Sequence, residues 1–164
     1  MLDTSVYGKL VMDEEILGRV KEKYESREFI IYGTGLIRKE LRTTPKTIVH
    51  GAKKLRILLL NLYDSLVTKD NHNLKFNKLV EALSRDYFAE YRKNTGGLSN
   101  EAIRNDLIIV ATATIYRLDI VVSDDEKTML SDKAVKSYKS VNKKYGLADP
   151  HFKKYAQFKK ELAR

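Results

Sequence analysis

Apolar positions along the chain recur mostly at helical spacing, with a few short runs of branched and aromatic residues between, and this pattern predicts helices alternating with strands. Asp13, Glu14 and Glu15 put acids where a helix would begin, with Ile16, Val20 and Tyr24 on one face behind them. Glu28 to Tyr32 reads as a strand, broken by Gly33-Thr34-Gly35, and Leu36 to Arg42 as a short helix. Thr44-Pro45 supplies an N-cap and a first-turn proline. Ile48, Ala52, Leu55, Leu59, Leu62 and Leu66 therefore predict one long amphipathic helix, ended by the polar run Lys69 to Asn73.

Phe76, Leu79, Val80, Leu83, Tyr87 and Tyr91 mark the next helix, stopped near Gly96-Gly97. Leu107 to Ile115 is a continuous apolar run that suits a buried strand or a buried helix, whereas Ile120 to Ser123 is a clearer strand. Ala134, Val135, Tyr138, Val141 and Tyr145 have helical spacing, with Gly146 as a stop, and Asp149-Pro150 is read as the start of a last basic helix. Strands separated by helices predict an α/β sandwich with a mostly parallel sheet. No repeat, low-complexity tract or linker divides residues 1–164, so a single domain is expected.

Composition narrows the setting. The chain has no cysteine, which excludes disulfides, a thiol nucleophile and Cys-ligated zinc, and fits a cytoplasmic protein. Its first residues have neither the basic region nor the apolar stretch of a secretory signal. The longest apolar run, Leu107 to Tyr116, is far short of the roughly 20 residues of a membrane span, so no membrane partner is expected. The formal charge of +9 is unevenly placed: from Asp132 to Arg164, ten Lys or Arg face three Asp or Glu. Tyr138, Tyr145, Phe152, Tyr155 and Phe158 are interleaved with those lysines. That mixture suits a nucleic-acid backbone and its bases, and equally suits a solvated face over a helical core. Lys153, Lys154, Lys159 and Lys160 are the candidates for backbone contact.

Candidate chemistry rests on acids. Ligands of open parallel sheets collect at the carboxyl ends of strands. Asp3, Glu40 and the pair Asp124-Asp125 follow expected strands, and Asp106 opens the apolar run. One acid in such a place is usually a turn or a cap. Several that converge repel one another unless cations neutralise them, and oxygen ligands suit Mg²⁺ or Mn²⁺. Such ions activate water and stabilise charge on a phosphodiester. Ser5 and Ser123 are then hydrogen-bonding supports rather than nucleophiles, since no base is spaced to activate them. His50, His72 and His151 lack the mutual spacing of a metal site.

The order of these residues resembles the PIN-domain nuclease family. Leu2-Asp3-Thr4-Ser5-Val6 is similar to the family's opening motif, and Arg38-Lys39-Glu40-Leu41 to its second. Asn105-Asp106 followed by Leu107 to Ala113 resembles the third, and Val121-Val122-Ser123-Asp124-Asp125 the fourth. None of the motifs is specific by itself; their order is. The resemblance favours a helix for the ambiguous apolar run. It implies a three-layer α/β/α sandwich with a mostly parallel central sheet and Mg²⁺- or Mn²⁺-dependent cleavage of RNA. It also implies homodimerisation and, for VapC-like toxin members, a protein antitoxin. Catalysis would fall to Asp3, Glu40, Asp106 and Asp125, and metal binding to Asp3, Asp106, Asp124 and Asp125. The fourth motif reads hydroxyl, any residue, Asp, which selects Asp125 over Asp124. A strand that continued through this stretch would also give Ser123 and Asp125 one orientation. The competing readings are a non-catalytic RNA-binding or scaffold protein with the same fold, and a phosphatase or structure-specific DNA nuclease. Activity on monoesters or branched DNA rather than single-stranded RNA would mark the latter.

Overall fold

A computed structural model describes residues 1–93 and 97–163. Helices α1 (Thr4–Met12) and α2 (Glu14–Glu25) lead into strand β1 (Gly33–Thr34) and helix α3 (Gly35–Thr43). A hairpin of β2 (Val49–His50) and β3 (Lys53–Lys54) precedes α4 (Leu55–Tyr63), a π-helical turn (Asp64–Thr68) and β4 (Asn73–Leu74). Helices α5 (Lys78–Lys93) and α6 (Asn100–Ile115) follow, then β5 (Ile120–Val122), α7 (Asp132–Tyr145), β6 (His151–Lys153) and α8 (Tyr155–Leu162). The fold is α/β, dominated by helix, with short strands in two-stranded sheets: β1 with β4 and β5 with β6 are parallel, and β2 with β3 is antiparallel. Among the described residues no helix is long and apolar enough to cross a membrane.

The chain forms two compact units, one of residues Met1–Lys75 with the segment from Lys154 on, the other of Phe76–Lys153. In the first, Val6, Tyr7 and Leu10 of α1 are fully buried, and α1 packs on α4, where the Tyr7 and Tyr63 rings lie 5.6 Å apart. Asp13 caps α2 through Ile16 N–H, as the acid cluster predicts. Tyr63 Oη lies 2.8 Å from both Thr34 O and Asn73 Oδ1, so one phenol staples β1 to β4. Helix α8 packs on α2, with Phe29 and Phe158 rings 6.5 Å apart. The Tyr7 hydroxyl is buried with no hydrogen-bond partner among the described residues, and burial pushes its pKa well up. Tyr7→Phe removes a polar group that is desolvated without compensation. It is expected to raise the free energy of unfolding by about 1 kcal/mol, measured by urea denaturation. A decrease of similar size would show that the hydroxyl is partnered.

In the second unit α5 packs on α6 and α7. Val80, Leu83, Tyr87 and Tyr91 form the buried stripe of α5, while Phe76 and Leu79, also expected there, are 55% and 65% exposed. The apolar run Leu107 to Ile115 is helix, in line with the resemblance, and lies in the long α6 capped by Ser99. Nearly every residue from Leu107 to Thr114 is buried, which explains why periodicity alone leaves it ambiguous. Gly146 ends α7 with φ 64°, the left-handed stop that only glycine adopts freely. Tyr87 Oη lies 2.6 Å from Asn142 Oδ1 and 3.1 Å from Thr114 Oγ1, and Asn142 donates to Asp149 at 2.8 Å.

Four sequence expectations are corrected. The strand over Glu28 to Tyr32 is displaced to Gly33–Thr34, inside the stretch read as its breaker, because the missing side chain of Gly33 lets the Tyr63 ring close over the strand pair. The long helix from Pro45 starts only at Leu55. Ile48 and Val49 are 42% and 63% exposed, so the first half of the apolar stripe finds no core, and Gly51 with φ 57° turns a hairpin instead. Thr44 is the C-cap of α3 rather than an N-cap. The stretch from residue 132 on is not wholly helical: Asp149-Pro150 leads into β6, and α8 starts after it. Of the expected stop at Gly96-Gly97, Gly96 lies outside the described residues.

Candidate functional site

Asp3 precedes α1 as its N-cap residue in extended conformation, yet its side chain makes no capping bond to the helix. The carboxylate is 6% exposed, and its Oδ2 accepts from Ser5 Oγ at 2.9 Å. Thr4 Oγ1 donates to Glu40 Oε2 at 2.6 Å. Glu40 sits in the second turn of α3, half-buried. The first two sequence motifs are thus joined inside the first unit, through Thr4. The same helix is anchored by Arg38, whose Nε and Nη2 each bond Asp64 at 2.8 Å in a two-pronged pair. That guanidinium holds the Asp64 carboxyl below its ordinary value.

In the second unit Asp106 occupies the second turn of α6 and is half-buried, not at the helix start as expected. Asp124 and Asp125 follow β5. Ser123 is fully buried; its N–H still bonds Lys153 O, but its Oγ accepts from Asp125 N–H at 3.1 Å, so the chain turns after Val122. Strand alternation therefore does not extend to Asp125, and the orientation argument that joined Ser123 to it lapses. Asp125 Oδ1 instead accepts from Lys127 and Thr128 N–H at 3.0 and 2.9 Å, pinning the next turn.

Tyr138 of α7 feels the charge of two of these acids, Asp106 and Asp125. Its side chain is fully buried against Tyr87 and Phe152, and its hydroxyl has no hydrogen-bond partner among the described residues. Burial pushes its pKa well above the ordinary phenol value, and Asp106, then Tyr87 and Tyr91, and last Asp125 push the same way. The sequence pattern places Tyr138 in the helical core and among the aromatics of the basic stretch; the signal for a polar role is a tyrosine, rather than Leu or Phe, at a core position.

The donor set is all oxygen, which suits a hard divalent ion. Among the described residues no three His, Cys, Asp or Glu form a group that could hold a metal ion. Mg²⁺ does not need such a cage: it keeps several waters and is bound by one or two carboxylates plus substrate phosphate. Two carboxylates whose charges reach one phenol that has no hydrogen-bond partner among the described residues are compatible with that mode.

The basic stretch is more structural than its composition suggests. Tyr138, Phe152, Tyr155 and Phe158 pack inward or against other rings, and Lys9 lies over the Tyr155 ring. Lys159 pairs with Asp13 at 2.7 Å. Lys153 belongs to β6, Lys154 caps α8 and Lys160 is exposed. No family model, curated protein or solved structure matches the chain.

Proposed function

We propose that the protein is a metal-dependent endoribonuclease of the PIN-domain kind. The observation that supports this reading is the buried hydroxyl of Tyr138, which has no hydrogen-bond partner among the described residues and whose ionisation the charges of Asp106 and, more weakly, Asp125 oppose. In this reading Asp106 and Asp125 hold Mg²⁺ or Mn²⁺, with Asp124 as a neighbouring ligand. The ion, when bound, supplies a more acidic water and stabilises charge on the phosphodiester. The chain's own contribution is positional: Ser123 and the turn after it fix the backbone of Asp125, and Tyr138 offers a hydroxyl to water at the site. Thr4 fixes Glu40, and Ser5 fixes Asp3. The roles of Asp3 and Glu40 in the chemistry enter on the resemblance alone. So do the three-layer sandwich with one central sheet, a homodimer, a protein antitoxin and a cytoplasmic site of action.

The test is cleavage of an end-labelled single-stranded RNA by purified protein. Cleavage is expected with Mg²⁺ or Mn²⁺ and none with EDTA. Equal cleavage in EDTA, or hydrolysis confined to phosphomonoesters or branched DNA, would overturn the reading.

A further inference from the structure

A second feature of the Phe76–Lys153 unit belongs to none of these acids. Helices α5 and α6 leave between them a cleft of about 290 Å³. Its floor is the apolar Leu107 and Ile108 of α6, and its walls carry Arg85 and Phe88 from α5, Arg104 from α6, and Phe76 from the segment before α5. Arg85 with Phe88, and Arg104 with Leu107 and Ile108, follow helical spacing, so each helix turns one coherent face to the cleft. Both arginines are exposed, and neither has an ion pair or hydrogen bond among the described residues. Most other exposed apolar side chains are aliphatic, whereas this rim holds Phe76 at 55% exposure.

An apolar floor, aromatic walls and two unengaged guanidiniums at the rim match one ligand chemistry. A planar base needs an apolar or aromatic face to lie on, and the phosphates that flank it need fixed cations. The volume sits at the small end of ligand clefts, which run about 300–1,000 Å³, and so suits one nucleotide rather than a large cofactor. Glu81 also lines the cleft, so with the two arginines the net charge of the lining is positive but not extreme. We infer that the cleft between α5 and α6 holds an unpaired nucleotide of single-stranded RNA, its base against Phe76 and Phe88 and its flanking phosphates on Arg85 and Arg104.

This inference rests on the ribonuclease reading, and the experiment separates the two. Binding of a 5′-fluorescein oligouridylate to the full chain is followed by anisotropy in EDTA across a salt series, for wild type, Arg85→Gln with Arg104→Gln, and Phe76→Leu. The double arginine variant is expected to bind at least tenfold more weakly, with the logarithmic salt slope flattened by about 0.7 for each phosphate that is no longer neutralised. Phe76→Leu is expected to weaken binding about tenfold with the slope unchanged, as loss of stacking does. If the variants bind like wild type while the same oligomer is cleaved with Mn²⁺, the cleft is not the site, and the nuclease reading stands. If wild type neither binds nor cleaves the oligomer, both fall. A wild-type dimer that Phe76→Leu converts to monomer, with RNA affinity unchanged, assigns the cleft to a second copy of the chain and overturns the inference.

Discussion

Asp106→Asn is expected to lower Mn²⁺-dependent RNA cleavage by about a thousandfold or more while leaving the fold intact. Several kcal/mol of charge stabilisation at the phosphodiester depends on the ion, and each 1.36 kcal/mol is about tenfold in rate. Asparagine has the shape of aspartate but offers a neutral, weaker ligand. The measurements are initial cleavage rates at saturating Mn²⁺ and a melting curve in EDTA. Activity within tenfold of wild type would remove Asp106 from the metal site. Asp125→Asn is the natural companion, because its Oδ1 would still accept from Lys127 and Thr128 N–H and keep the turn. If Asp125→Asn stays active while Asp124→Asn is dead, the assignment of the fourth acid to Asp125 is wrong.

The largest structural effect is expected at Gly33. An alanine Cβ there would lie 2.6 Å from Tyr63 Oη and 2.9 Å from two carbons of the same ring. The ring cannot swing away cheaply, because it is buried and its hydroxyl ties Thr34 to Asn73. Gly33→Ala therefore combines overpacking with the loss of a buried hydrogen-bonded staple. The expected destabilisation is about 3 kcal/mol, within the range of those two effects taken together. In thermal unfolding it lowers Tm by several degrees. The double variant Gly33→Ala with Tyr63→Phe should lose less than the sum of its parts, since the clash with Oη is gone. Full additivity would mean that the two positions do not meet.

What could be read from the sequence depended on how much of each element's pattern came from burial. The stripes of α2, α5 and α7 have one apolar face and one charged face, and Asp13 and Gly146 punctuate the start of α2 and the end of α7, so local rules were enough. The stretch from Pro45 to Lys54 kept the helical phase without a core to receive it, and a glycine with positive φ decided otherwise. The branched run Ile120 to Ser123 marked β5, but β1 is fixed by its distant partner Asn73–Leu74, and no local pattern reports which strands pair. The candidate acids were picked out by residue type and order, which are chemical. Of their supports, Ser5 beside Asp3 was legible, whereas Thr4, which reaches Glu40 across 36 residues, and Tyr138, whose ionisation the charges of Asp106 and Asp125 oppose, were not.

The order in which the chain leaves the ribosome treats the two units differently. The unit Phe76–Lys153 is one continuous stretch, and once β6 is made, β5 has its parallel partner and α5 both of its packing helices. The unit that begins at Met1 is made first but waits longest, because α2 receives α8 and Asp13 receives Lys159 only after the other unit has been translated. Chain order thus completes the inner unit before its host, so a chain released after Lys153 would carry every piece of the insertion while α2 kept an uncovered apolar face.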